Sequence, residues 1–168
     1  MEIEEKAKRQ RNGFERMLHW IPGFKGYYER ELRRDSNRLQ REFIVEKLRD
    51  VKIGLNDIVR AVTRQKQPAL LTVYDEFSRL LERSINEIRY ADRGYSGFFD
   101  LIKIREAELD AVYQIDAELA EAVIRFGESF KELAAQPTDA SLLPALQVGM
   151  KAVGDKFRQR GELLKGYR

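Results

Sequence analysis

Apolar residues recur along the chain at intervals of three and four almost without interruption, the spacing that lays one stripe along an α-helix. Ile3, Ala7, Phe14, Met17 and Leu18 form a first stripe, which Ile21-Pro22-Gly23-Phe24-Lys25-Gly26 breaks with a proline and two glycines. Helix resumes near Tyr27 and meets no breaker before Pro68. A helix of about 40 residues, rising about 1.5 Å per residue, would span roughly 60 Å. Within it Ile44, Leu48, Val51, Leu55, Ile58, Val59 and Val62 share one face, whereas Tyr28, Leu32, Leu39 and Phe43 share another. At about 100° per residue the two faces lie roughly 150° apart. The long helix is therefore expected to change packing neighbours near Phe43 or to break there.

Three further helices follow. Residues 69–92 carry the stripe Leu70, Val73, Tyr74, Phe77, Leu80, Leu81 and Ile88; residues 104–135 carry Leu109, Val112, Tyr113, Leu119, Val123, Phe126 and Phe130; residues 141–165 carry Leu143, Leu146, Met150, Val153, Phe157 and Leu164. No segment alternates as a strand does. The fold class is therefore all-α. Helices 44–66, 69–92, 104–135 and 141–165 have similar lengths and short connections, which make successive helices antiparallel neighbours in an up-down four-helix bundle. Residues 1–43 are read as an N-terminal helical hairpin belonging to the same domain as the 44–168 bundle.

Composition changes this picture little. A chain of 168 residues, 35% charged and 43% hydrophobic, fits one domain with a real core. It has no cysteine, which excludes disulfides and suits a reducing compartment. No apolar run approaches the roughly 20 residues of a spanning helix, and the N-terminus places acids before bases with no apolar core of a signal peptide. A cytoplasmic location is expected. Charge is unevenly spread: residues 1–66 hold 17 Lys/Arg against 11 Asp/Glu, and residues 100–139 hold 4 against 10. The two segments can pair with each other, or the basic one can meet an anionic partner.

Candidate chemistry is sparse. The sole histidine, His19, cannot make a familiar zinc site in a chain with no cysteine. There is no Glu-x-x-His pair for a di-metal carboxylate site, no glycine-rich phosphate loop, and no assembly of Ser, His and Asp. No catalytic residue, metal or cofactor is predicted, and the chain is not read as an enzyme. Asp116 is the one polar residue out of place, falling inside the stripe of Val112, Tyr113, Leu119 and Val123. A buried carboxylate needs a partner. It marks either a ligand or proton site, or a carboxylate held by a tyrosine or arginine across the core.

Aromatic residues crowd into 20–28 and 90–99 among basic ones. Trp20, Phe24, Lys25, Tyr27, Tyr28, Leu32, Leu39, Arg93, Tyr95, Phe98 and Phe99 form a candidate partner-binding set; alternatively the aromatics plug one end of the bundle. The segments Ile21-Pro22-Gly23-Phe24-Lys25-Gly26-Tyr27 and Ala91-Asp92-Arg93-Gly94-Tyr95-Ser96-Gly97-Phe98-Phe99-Asp100 resemble those of an uncharacterised family of bacterial all-helical proteins. That resemblance implies a bacterial cytoplasmic helical protein and carries no activity with it.

Three functional readings follow. The first is a non-enzymatic interaction or scaffold module, binding another protein or forming a homodimer through residues 1–43. The second is an anion-binding module, meeting nucleic acid or an acidic membrane surface through basic residues 25–66. The third is a small-ligand site inside the bundle. Salt separates the first two, because phosphate binding weakens steeply with ionic strength.

Overall fold

The computed structural model describes residues 12–91 and 96–167, so Arg93 and Tyr95 lie outside the described residues. Every regular element among the described residues is helical. Helix α1 covers residues 12–20, α2 Arg30–Arg64, α3 Pro68–Tyr90, α4 Ser96–Asp100, α5 Glu106–Ala135 and α6 Leu143–Gly166, the last entered through a 3-10 turn at Ala140–Leu142. None of these helices is long and apolar enough to cross a membrane. The stretch between α3 and α5, read from the sequence as loop, contains the one-turn α4, which sets Phe98 and Phe99 against the core.

The long helix does not break at Phe43. Helix α2 runs 35 residues without interruption. The buried stripe does not swing to a second face either. Arg33, Asn37, Gln40, Ile44, Leu48, Val51, Leu55, Ile58 and Val62 are all buried, and their spacing of three and four keeps them on one face from end to end. What changes at residue 44 is chemistry, from polar to apolar. Apolar periodicity cannot register a stripe made of Arg, Asn and Gln, and it fastens instead on the flank of Tyr28, Leu32, Leu39 and Phe43. That flank lies beneath the 21–24 turn, where Leu39 packs against Gly23, and beside α1.

Helix α2 packs along α3 and α5, and α6 packs along α5 and α3, so each long helix has two long neighbours. Helices α2 and α6 lie across the core from one another. Leu48, Leu55, Phe77, Leu81, Val123, Phe130, Met150 and Phe157 all belong to one continuous core. Helix α3 stops level with Arg41, whose Nη1 donates to the carbonyl of Arg89. Beyond that level α4 and the Ile21–Tyr27 turn close the end of the molecule, with Phe98 against Tyr167 at the C-terminus.

Helix α1 lies beside α5 and runs parallel to it. Gly13 sits against the Tyr113 backbone, where an added Cβ would be 3.3 Å from the carbonyl, and Arg16 pairs with Glu121. The chain then reverses through Gly23 and Gly26, both with positive φ. At Gly26 a Cβ would lie 2.7 Å from the Phe14 ring and from the Tyr113 hydroxyl, so only glycine brings Tyr27 back to the core.

Gly54 has a packing reason as well: a Cβ there would sit 2.6 Å from the Phe130 ring. Gly54→Ala gains about 1 kcal/mol of helix propensity but overpacks a core contact, at about 1–3 kcal/mol. We expect a lower urea midpoint for Gly54→Ala in the wild-type background and a higher one when Phe130 is first replaced by Leu. The same sign in both backgrounds would contradict this contact.

Candidate functional site

The buried polar half of α2 faces a cluster drawn from three other segments. Asp116 of α5 and Arg160 of α6 are fully buried, as is Tyr27 from the turn. Arg160 Nε donates to Asp116 Oδ1, its Nη2 donates to Asp116 Oδ2 at 3.3 Å, and Nη2 also reaches Asn37 Oδ1 at 2.8 Å. The Tyr27 hydroxyl donates to Asp116 Oδ2 at 2.6 Å. The guanidinium carbon of Arg160 stands 5.9 Å from the centre of the Phe99 ring. The carboxylate is thus held by both an arginine and a tyrosine.

Electrostatics keep the Arg160 guanidinium charged. Burial disfavours the Arg160 charge, but the Asp116 carboxylate beside it outweighs that and holds the guanidinium above its usual pKa. Burial first, then the Asp116 charge, push the Tyr27 hydroxyl well above its ordinary value, so Tyr27 stays a donor. Burial likewise raises Tyr113, whose hydroxyl oxygen accepts from the Tyr27 backbone N–H. Arg33 ties the turn down: its Nε donates to the Tyr27 carbonyl at 2.7 Å and its Nη1 to the carbonyl of Leu101.

The sequence-derived partner set divides sharply. Phe24, Tyr27, Phe98 and Phe99 are buried in the chain's own core, and the Tyr27 ring stacks on Tyr113 with centroids 5.2 Å apart. They are not presented to a partner, because burying these large rings under a folded-back turn removes them from water within one chain. Leu32 and Leu39 are half-buried, Lys25 is exposed, and Tyr28 is half exposed with its ring against Phe14 and Tyr113. Within residues 12–43 the apolar flank that motivated a homodimer is partly covered, with Leu39 against Gly23 and Tyr28 against Phe14 and Tyr113, and Tyr28 keeps half of its surface exposed. Four basic residues of α2 pair with acids: Arg34 with Asp100, Arg38 with Asp35 and Glu42, Lys52 with Glu82, Arg60 with Asp57.

Trp20 behaves differently from the other aromatics. It is half-buried at the end of α1 and opens onto a groove of about 580 Å³ between α2 and α5. Phe43, Val51, Val123 and Phe130 form its floor, and Lys47, Asp50, Glu128 and Lys131 its rims. Gly127 of α5 lines it too, and apart from its own stretch of helix no described residue comes within 4 Å of where its Cβ would be. Sequence spacing did not disclose this groove, since its floor residues double as core stripe.

Among the described residues no three His, Cys, Asp or Glu converge as metal ligands do. Compared with protein-family models, with curated proteins and with solved structures, the chain matches none.

Asp116→Ala would strand the Arg160 charge in the core, a change that costs about 3–5 kcal/mol. Adding Arg160→Met should recover most of that loss in a urea melt; additive losses would mean that the pair is not a unit. A second expectation concerns alkaline pH. The folded-state pKa of Tyr27 lies above the unfolded value of about 10, so its contribution is complete below that pH and fades as pH rises through the folded value. Stability measured from pH 8 to 12 should fall more steeply in the wild type than in Tyr27→Phe. Parallel curves would contradict the assignment.

Proposed function

We propose that the protein is a non-enzymatic interaction module, built on an up-down four-helix bundle, that receives an amphipathic helix of a partner protein along the seam between α2 and α5. The observation that carries this reading is the way α1 uses the seam. From Gly13 to Trp20 the chain's own helix lies beside α5, making its closest approach where a glycine admits it. Past Trp20 the same seam continues as the apolar groove over Val51, Val123 and Phe130, with no described helix over it. Its rims, Lys47 and Asp50 on α2 and Glu128 and Lys131 on α5, suit a helix carrying charges of both signs at its edges.

Gly127 supports the same reading. A glycine inside a helix costs about 1 kcal/mol relative to alanine. Gly13 and Gly54 answer that cost with close neighbours, and Gly127 has none among the described residues. Open space above a groove-lining glycine is what a closely approaching partner backbone requires. The surface here is apolar and neutral on balance, which sets it apart from phosphate recognition.

Gly127→Leu fills the groove while favouring the helix, so it should raise the urea midpoint and abolish binding together. The test is capture from the native cell extract at high salt on wild-type and Gly127→Leu protein. Titration of each captured species should then be followed by the emission of Trp20, the chain's single tryptophan. A species retained equally by Gly127→Leu, or one released by salt alone, would defeat this reading.

A further inference from the structure

Helix α1 and the groove beyond its end are matched in length and in surface. On α2 the groove runs from Phe43 to Val51, a rise of about 12 Å along the helix. The described part of α1, residues 12–20, rises by the same amount. The seam is thus divided at Trp20 into a covered half and an open half of similar length. Toward the core, α1 buries Met17 and packs Phe14 and Trp20. Its outer face exposes Asn12, Glu15, Leu18 and His19. Leu18 is the exposed large apolar residue on that face, with 45% of its surface open.

A two-fold axis crossing the seam just beyond Trp20, at right angles to the helices, exchanges the two halves. It lays α1 of each copy over the open groove of the other. Both α1 helices then lie end to end in one layer between two bundles. Because α1 runs parallel to its own α5, the α1 of the second copy runs antiparallel to it. Gly127 is the groove position where a missing side chain leaves room for an incoming Leu18. With the second copy's Leu18 placed there, its Glu15 lies one turn further along α5, beside Lys131. Lys131 pairs with Glu128 of its own helix and would there face two carboxylates. Gly13 sits against Tyr113, which puts each Leu18 about nine residues short of Gly127 along its own α5. In this register the two Trp20 backbones stand about 7 Å apart along the seam, so the helix ends abut without colliding.

We propose that the occupant of the groove is α1 of a second copy of this chain, in a two-fold dimer in which each Leu18 enters the other copy's groove above Gly127. The inference rests on the reading of the α2–α5 seam as a groove that receives a helix. A two-fold contact makes each interaction twice and closes on itself, so neither open half of a seam stays in water. Leu18 and the floor of Val51, Val123 and Phe130 leave water together. The Glu15–Lys131 pairs at the rim fix the register.

Light scattering after size exclusion, on the full chain at high micromolar concentration, tests the dimer. The wild type should have twice the 19.7 kDa mass of one chain. Leu18→Ala should raise the dissociation constant about a hundredfold, because a buried leucine is lost twice per dimer, and Gly127→Leu should be monomeric. Cross-linking reads the register independently, since the chain has no cysteine of its own. The two copies of residue 19 lie about 10 Å apart along the seam and those of residue 15 about 20 Å. A short bismaleimide should therefore join His19→Cys chains and leave Glu15→Cys chains apart. A monomeric wild type, a dimer indifferent to Leu18→Ala, or preferred joining of Glu15→Cys would overturn the proposal. A monomer that still captures another protein's helix, released by Gly127→Leu, would overturn self-pairing alone and leave the groove reading standing. A dimer that needs Leu18 but tolerates Gly127→Leu would count against both.

Discussion

Arg160 brings a full positive charge from α6 into a core that offers no solvent, and the end of the molecule is arranged around it. Asp116 supplies the opposite charge from α5, Tyr27 bonds the carboxylate from the turn, Asn37 of α2 accepts from Arg160 Nη2, and Phe99 of α4 covers the guanidinium. Five separate segments thus meet at one ion pair. A buried pair is weak evidence for net stability, because desolvation opposes the attraction. Its consequence is positional: any other register of these segments would leave a charge buried and unpaired.

That constraint explains why the buried stripe of α2 is polar in its first half. Opposite Ile44–Val62 stand apolar residues of α3 and α5, and ordinary close packing suffices. Opposite Arg33–Gln40 stand the ion pair, the α4 segment and the reversed chain at Tyr27, where backbone carbonyls need donors. Arg33 meets three of them, at Tyr27, Tyr28 and Leu101. The turn glycines serve the same end, since Gly26 alone permits the approach that carries Tyr27 under Phe14 and onto Tyr113.

The same arrangement sorts the aromatic residues by burial. Phe24, Tyr27, Phe98 and Phe99 are buried at the end of the molecule that holds the polar cluster, which leaves Trp20 at the mouth of the α2–α5 groove. Helix α1 covers part of the seam between two helices that carry the core, and beyond Trp20 an apolar floor remains open. Close packing at Gly54 and openness at Gly127 show how one residue type serves opposite ends on the two walls of that seam.

The sequence by itself determined the helices, because a repeat of three and four is a local property of the chain. Helices α3, α5 and α6 fall within two residues of where their stripes place them. It also marked Asp116, a carboxylate inside an apolar stripe. Arg160 was legible by the same test, since it occupies the position missing between Phe157 and Leu164, though a long side chain at such a position more often reaches water. The polar stripe of α2, the end-plug role of the aromatics and the α2–α5 groove were decided only by tertiary structure. Apolar spacing identifies a buried face only when that face meets hydrocarbon. Where it meets a charge and unpaired carbonyls supplied by segments up to 123 residues away, the buried residues are the polar ones, and nothing local distinguishes them from a solvated face.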